Sequence, residues 1–232
     1  DLDSLRRAFE VFLQRVPFYG AAVLCADDPE TRRLASDLDR RVLTYGLDPA
    51  ADVHADEGTI TTGDFGQEAV VRAFGQELGP LCLSLRGRHN LQNALAAVAV
   101  ALELGVDFAA AARGLGDCQG VGRRLEMHGE HGGVLVIDDY GHHPTEIVAT
   151  MTVARGFGRP VAVLFQPHRY SRTARFVQQF ADALDGADAV ALLPVYAASE
   201  ARPDGVGSQL IADQLASKGH RQITRIGHAD QI

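Results

Sequence analysis

Three polar segments carry the side chains best suited to chemistry, and each follows a short apolar run. The first is Asp138-Asp139-Tyr140-Gly141-His142-His143-Pro144-Thr145-Glu146, after Val134–Ile137. The second is Gln166-Pro167-His168-Arg169-Tyr170-Ser171-Arg172-Thr173, after Val161–Phe165. The third is Pro194-Val195-Tyr196-Ala197-Ala198-Ser199-Glu200, after Ala189–Leu193. In a parallel sheet, loops that leave successive strand ends share one edge, which is where open α/β sheets bind ligands. Asp139, His142, His143, His168, Arg169, Arg172 and Glu200 would then converge. Guanidinium forks suit carboxylate and phosphate oxygens, and imidazole moves or holds a proton near neutrality. The plain alternative is a solvated set of loops, since loops are polar in most proteins.

A second candidate lies in Gly87-Arg88-His89-Asn90-Leu91-Gln92-Asn93. Asn90 and Asn93 are three residues apart at the start of an alanine-rich helix and so share a face. Amides both donate and accept, which fits them to the edge of a purine ring. Capping of the helix by Asn90, with Asn93 merely exposed, accounts for the same spacing.

Other chemistries find no support. His142 and His143 are adjacent, so their rings diverge, and no HExxH pattern accompanies them; no metal site is assigned. No GxGxxG follows a strand, which leaves nicotinamide and flavin binding without a motif, and no GxSxG elbow is present. Cys25, Cys82 and Cys118 are isolated and odd in number, with no zinc or disulfide pattern. The net charge of −8 and the absence of tryptophan argue against nucleic acid as a partner. No signal peptide pattern opens the chain, and its longest apolar run is too short for a bilayer. Lys218 is the only lysine and sits in a polar helix end, so a catalytic lysine is not expected here.

The elements that must position these groups read as α/β. Leu2 to Val16 has helical periodicity with Pro17 as its stop, and strands follow at Ala21–Cys25 and Val42–Tyr45 with a helix, Glu30–Leu38, between them. Val70–Phe74 and Leu81–Leu85 read as further strands of an antiparallel extension, with Gly75 and Gly79-Pro80 as turns. Helices are expected at Leu91–Leu104 and Phe108–Leu115. The glycines of 116–122 mark a hinge, dividing the chain into domains at 1–121 and 122–232. In the second domain Leu125–His128 and Val134–Ile137 read as a hairpin or as two neighbouring strands around a loop. Helices at Thr145–Arg155, Arg175–Leu184 and Val206–Ser217 then alternate with strands in a doubly wound, Rossmann-like pattern, with a last short strand at Ile223–Ile226.

The Gly87–Ala94, Asp138–Glu146 and Phe165–Thr173 segments resemble motifs of the Mur ligases, and the last, with Phe12–Gly20, resembles their L-alanine-adding members. The resemblance runs over nearly the whole chain. It implies that 1–121 is the rear part of a central ATP-binding domain. It implies that 122–232 is a carboxyl-terminal domain, cut short, that binds the amino acid and closes over the nucleotide. The implied reaction is ATP-dependent ligation of L-alanine to UDP-N-acetylmuramate through an acyl phosphate, in cytoplasmic peptidoglycan precursor synthesis, with Mg2+ as a second cofactor. His89, Asn90 and Asn93 match residues at the adenine side, Arg124 an arginine on the ATP phosphate, and Asp139 an acid on the ribose. His168, Arg169 and Arg172 match the amino-acid side. Ser199 stands where glycine is more usual. The family's phosphate loop, GxxGK(T/S), its magnesium-binding acids and its UDP-sugar domain are not in this sequence, so the chain by itself is expected to be inactive. The alternatives are a related ligase that recycles a tripeptide onto the same sugar nucleotide, and a non-catalytic nucleotide-binding module.

Overall fold

The computed structural model describes residues 1–63 and 66–227, in two compact units, Asp1–Gln119 and Gly120–Ile232. In the first unit α1 (Leu2–Leu13) is capped by the Asp1 carboxylate, which accepts from the Ser4 N–H at 2.7 Å. It ends short of Pro17, with Arg15 and Val16 turning back onto Phe12 and Leu13. Then come β1 (Ala22–Cys25), α2 (Pro29–Asp37), β2 (Val42–Gly46) and β3 (Val53–Ala55), with β1, β2 and β3 parallel. The sheet then changes sense: β4 (Thr61–Gly63), β5 (Gly66–Ala73) and β6 (Gln76–Leu83) join antiparallel, giving six strands in all. Helices α3 (Arg88–Glu103) and α4 (Phe108–Gly116) follow.

α3 supplies the core of this unit. Leu91, Leu95, Val98 and Ala99 recur on one face and are buried with Val53, Val71 and Leu81 of the sheet. Each buried leucine or valine among them contributes roughly 1.5–3 kcal/mol. The β5–β6 turn is Phe74-Gly75, both at positive φ (51° and 78°), the two-residue geometry that matches strand twist. Gly79-Pro80, expected as a turn, instead lies within β6 beside an irregularity at Val71/Arg72. β6 is an edge strand, so Pro80 removes no needed donor there.

The second unit holds β7 (Glu126–His131) and β8 (Val134–Asp138), paired antiparallel. It continues with α5 (Pro144–Arg155), β9 (Ala162–Phe165), α6 (Tyr170–Arg175), α7 (Val177–Leu184), β10 (Ala189–Leu192), α8 (Gln209–Ser217) and β11 (Ile223–Arg225). β9, β10 and β11 form a parallel sheet in the order β11-β10-β9. Phe180, Leu184, Val190, Leu192, Ile211 and Leu215 fill its core. Two expectations change here. β8 belongs to a separate two-stranded ribbon, so only two of the three polar loops leave the parallel sheet. The helix expected from Arg175 begins earlier and is interrupted at Phe176 (φ −117°, ψ 24°), which puts Arg172 and Thr173 in a helix of their own. No helix among the described residues is long and apolar enough to cross a membrane.

Candidate functional site

The loops after β9 and β10 are joined by their backbones beyond the strands proper. The Leu193 N–H donates to the Phe165 carbonyl at 2.9 Å, that of Tyr196 to Pro167 at 2.8 Å, and that of Arg169 to Tyr196 at 2.8 Å. His168 therefore lies beside Tyr196, its ring stacked on the phenol at 5.3 Å between centroids. The His142 ring stands 5.8 Å from that of His168 and is itself edge-on to Tyr140 at 5.2 Å. The expected convergence of His142 and His168 is thus present, although β8 is not part of their sheet.

The cations of the second loop have no close carboxylate among the described residues, although Arg169 lies near enough to Glu200 to lower its pKa. Neither Arg169 nor Arg172 forms an ion pair with a described residue, and Nη1 of Arg172 is buried with no hydrogen-bond partner among them. Nδ1 of His168 is in the same condition. Burial, with the positive charges of Arg172, His142 and Arg169, holds the His168 pKa below its usual value, and Glu200 opposes this only weakly. Glu200 is occupied elsewhere: it accepts from the Ser171 N–H at 2.9 Å and from the Ser171 hydroxyl at 2.6 Å, which fixes the start of α6. The Ser171 hydroxyl bond is the main cause of its lowered pKa. Arg169 takes φ 71°, and Ala198 and Ser199 take 47° and 70°. An L-residue in this region costs on the order of 1 kcal/mol, so three positions in two facing loops are held against local preference. The φ of Ser199 explains why glycine suits that position.

The other residues divide. His143 turns away from His142: it caps α5 by accepting from the Thr145 N–H at 3.4 Å, and its ring rests on Phe176 at 5.0 Å. Glu146 completes that cap, with Oε2 accepting from the His142 and His143 N–H groups at 2.9 and 3.0 Å. Burial pushes the Glu146 pKa up, but those two bonds, His142 and Arg124 outweigh it and hold the carboxyl below its usual range. Nη1 of Arg124 is 3.8 Å from Glu146 Oε1, in a side chain that is half exposed. Asp139 spends its carboxylate on backbone, Oδ2 accepting from Leu125 N–H at 3.0 Å and Oδ1 from Gly141 N–H at 2.8 Å. One grouping was hidden from sequence spacing: Glu126, His128 and Asp138 bring ligand atoms within 4.8 Å of one another across the ribbon. Arg123 already engages that group, its Nε 3.3 Å from Asp138 and its N–H on Glu126 at 2.7 Å.

In the first unit, α3 starts on Gly87, whose φ of 102° is open to glycine. Asn90 is therefore inside the first turn rather than at the cap, and its amide donates to the Arg86 carbonyl at 2.8 Å. Buried Gln67 braces the same approach by donating to the Leu85 and Gly87 carbonyls at 2.8 and 2.9 Å. His89 is half-buried in the same turn, and Asn93 is exposed. Between the two asparagines, Gln92 donates to Asp27 Oδ2 at 2.5 Å. Asp27 also accepts from the Leu47 and Asp48 N–H groups at 2.9 Å, and a Cβ on Gly46 would lie 2.6 Å from its Oδ1. Burial raises the Asp27 pKa, and the bonds from Gln92, Leu47 and Asp48 more than reverse this. Asp27 and Gln92 were not among the expected site residues; an acid directly after a buried strand was the available signal.

A family model described as the Mur ligase middle domain matches residues 1–101, and one described as Mur ligase, glutamate ligase domain, matches 123–232. The chain belongs to the Mur ligase family. Among its Mur ligase relatives, the UDP-N-acetylmuramate–L-alanine ligase of Solibacter usitatus is 42% identical over 232 residues, covering 100% of this chain and 49% of the relative. That of Halorhodospira halophila is 45% identical over 238 residues, again covering 100% of this chain and 49% of the relative. The chain thus spans about half the length of the curated relatives it matches. The crystal structure of a UDP-N-acetylmuramate-alanine ligase from Thermotoga maritima superposes with a TM-score of 0.76 at 30% identity, over 97% of this chain and 46% of that one. A Mycobacterium tuberculosis folylpolyglutamate synthase complexed with ADP shares the fold, with a TM-score of 0.72 at 17% identity, over 97% of this chain and 50% of that one.

Proposed function

We propose that this chain is part of an ATP-dependent ligase that joins L-alanine to UDP-N-acetylmuramate in the cytoplasm, in peptidoglycan precursor synthesis. Residues 1–121 are part of its central ATP-binding domain and 122–232 its carboxyl-terminal domain. The observation that carries the reading is the pair of buried polar atoms left without a partner among the described residues, Nδ1 of His168 and Nη1 of Arg172, with Arg169 beside them, on two loops locked together by backbone bonds. A rigid, cationic, partly buried edge suits the carboxylate of an incoming amino acid, which must be held while its amine attacks. The relatives that share this chain at 42–45% identity are named for that substrate.

On the nucleotide side, His89, Asn90 and Asn93 are assigned to the adenine, with the free amide of Asn93 the group open to a ring edge. Arg124 is assigned to the phosphates, where a half-exposed guanidinium whose carboxylate partner among the described residues is distant can turn to an anion. Asp139 belongs to the same nucleotide side. Mg2+ would supply charge neutralisation at the transferring phosphoryl group; its ligands are not assigned to residues of this chain. In the reaction ATP phosphorylates the substrate carboxylate, the alanine amine adds to the acyl phosphate, and phosphate leaves as the amide forms. The test is ADP release by the full-length protein with UDP-N-acetylmuramate and L-alanine. Release that depends on both substrates is expected, and release indifferent to L-alanine would overturn the assignment.

A further inference from the structure

Arg124 is set in an unusual frame. The residues on either side of it, Arg123 and Leu125, both lie at positive φ, 59° and 49°. Neither is glycine, so the chain adopts this arch only because other contacts impose it. Within the arch the Arg124 N–H donates to the Val121 carbonyl at 3.1 Å, and the other contacts come from Glu126 of β7 and from Asp138, Asp139 and Tyr140 at the end of β8. The Tyr140 N–H donates to the Arg123 carbonyl at 2.7 Å, and the Arg123 guanidinium lies 4.9 Å from the centre of the Tyr140 ring. Asp138 meets the same guanidinium at 3.3 Å, and Glu126 takes the Arg123 N–H at 2.7 Å. On the far side of the arch one group does the holding: Oδ2 of Asp139 accepts the Leu125 N–H at 3.0 Å. Its other oxygen is tied to the Gly141 N–H at 2.8 Å, and a Cβ at Gly141 would stand 2.7 Å from that oxygen. Both carboxylate oxygens are thus used inside the unit, and the space around Oδ1 is closed to a side chain.

We propose that Asp139 is a positioning residue that acts through Arg124, by pinning the Leu125 N–H and so holding the strained arch that presents the Arg124 guanidinium. This rests on the reading above in which Arg124 meets the nucleotide phosphates. It differs from a direct contact between Asp139 and the ribose, and the two make opposite predictions. A direct ribose contact would be felt through the sugar hydroxyls. A positioning role would be felt only through Arg124 and would vanish once Arg124 is gone, as for any two residues that act as one unit.

The experiment measures turnover and KM in the full-length protein with ATP, 2′-deoxy-ATP and 3′-deoxy-ATP. The variants are Arg124→Ala, Asp139→Asn, Gly141→Ala and the latter two combined with Arg124→Ala. Gly141→Ala keeps every charge and displaces the Asp139 carboxylate by steric pressure alone, so it tests the same link without removing the acid. Misplacement of a group on the reacting phosphates by a fraction of an ångström is expected to lower kcat roughly 10-fold. Asp139→Asn and Gly141→Ala are each expected to show that fall, by the same factor with all three nucleotides, and to change kcat less than about twofold in the Arg124→Ala background. Full additivity with Arg124→Ala would overturn the proposal, as would an Asp139→Asn enzyme that has lost only its preference for ATP over the deoxynucleotides. Wild-type turnover in Arg124→Ala would overturn it too, and would show that the fault lies in the nucleotide assignment of Arg124 rather than in its coupling to Asp139.

Discussion

Replacing Glu146 tests how the second unit fastens its first strand–helix junction. Glu146 Oε2 accepts two backbone N–H groups, from His142 and His143, that would otherwise face the start of α5 unpaired. A hydrogen bond to a charged acceptor contributes roughly 1.5–3 kcal/mol when well shielded, and a helix cap about 1 kcal/mol. The Glu146 side chain is 34% exposed, and its contact with Arg124 is long at 3.8 Å, so the ion pair adds only a few tenths of a kcal/mol. Glu146→Ala should therefore cost about 2 kcal/mol, and Glu146→Gln, which keeps a neutral acceptor, about 1 kcal/mol. For a unit of this size 2 kcal/mol lowers the melting temperature by roughly 8 °C. The pH dependence has a definite sign. The native carboxyl is held below its usual pKa, so its contribution is complete above the unfolded value, about 4.3. It is lost as the pH falls through the lower native value. The gap in melting temperature between the 232-residue chain and its Glu146→Gln variant should be constant above about pH 5.5 and narrow progressively as the pH falls below the unfolded value. Calorimetry across that range, with hydrogen exchange at the His142 and His143 amides, measures it. A gap of equal size at pH 7 and pH 3, or exchange at those amides unchanged in Glu146→Ala, would refute the reasoning.

Three further outcomes follow from the geometry. Gln92→Met removes the bond to Asp27 at similar volume; with the α3 start loosened, KM for ATP in the full-length protein should rise about three- to tenfold, with KM for L-alanine unchanged. Arg172→Ala should raise KM for L-alanine at least about tenfold with ATP binding intact, whereas a bracing role would lower the melting temperature and disturb all substrates alike. Ser199→Val, a β-branched residue at φ 70°, should destabilise the second unit by about 1–2 kcal/mol in denaturant titrations, while Ser199→Gly should be close to neutral because relief of strain offsets added unfolded-state entropy.

The strands and most helices were legible because their signals are local: apolar runs such as Val161–Phe165, and punctuating residues such as Pro17 and Gly75. α6 was not legible because Tyr170–Arg175 has no apolar period and begins on a residue at positive φ. The departure of β8 from the parallel sheet leaves no trace in its own sequence, since an apolar strand reads the same in either partnership. At the site, His168, Arg169 and Arg172 could be named from one short segment. The pairing of Gln92 with Asp27 spans 65 residues, and the stacking of His168 on Tyr196 depends on two loops meeting. Such contacts are set by tertiary packing, which periodicity does not encode. Asp139 was visible as an acid at a strand end, but its bond to Leu125 depends on an arch that no residue preference announces.

The backbone bonds that tie 165–169 to 193–196 make the two loops one mechanical piece. On the proposed assignment of this edge to the incoming amino acid, re-targeting the preference by transplanting segments from a relative would require carrying both. A donor 166–173 segment set against the resident 194–200 loop would meet a ring at Tyr196 and a carboxylate at Glu200 that were matched to another His168 and Ser171. The chimera would inherit the donor's side chains without their placement. Heritable change in preference at this edge is therefore expected to arrive as matched changes in both loops, or as single substitutions that leave the shared bonds untouched.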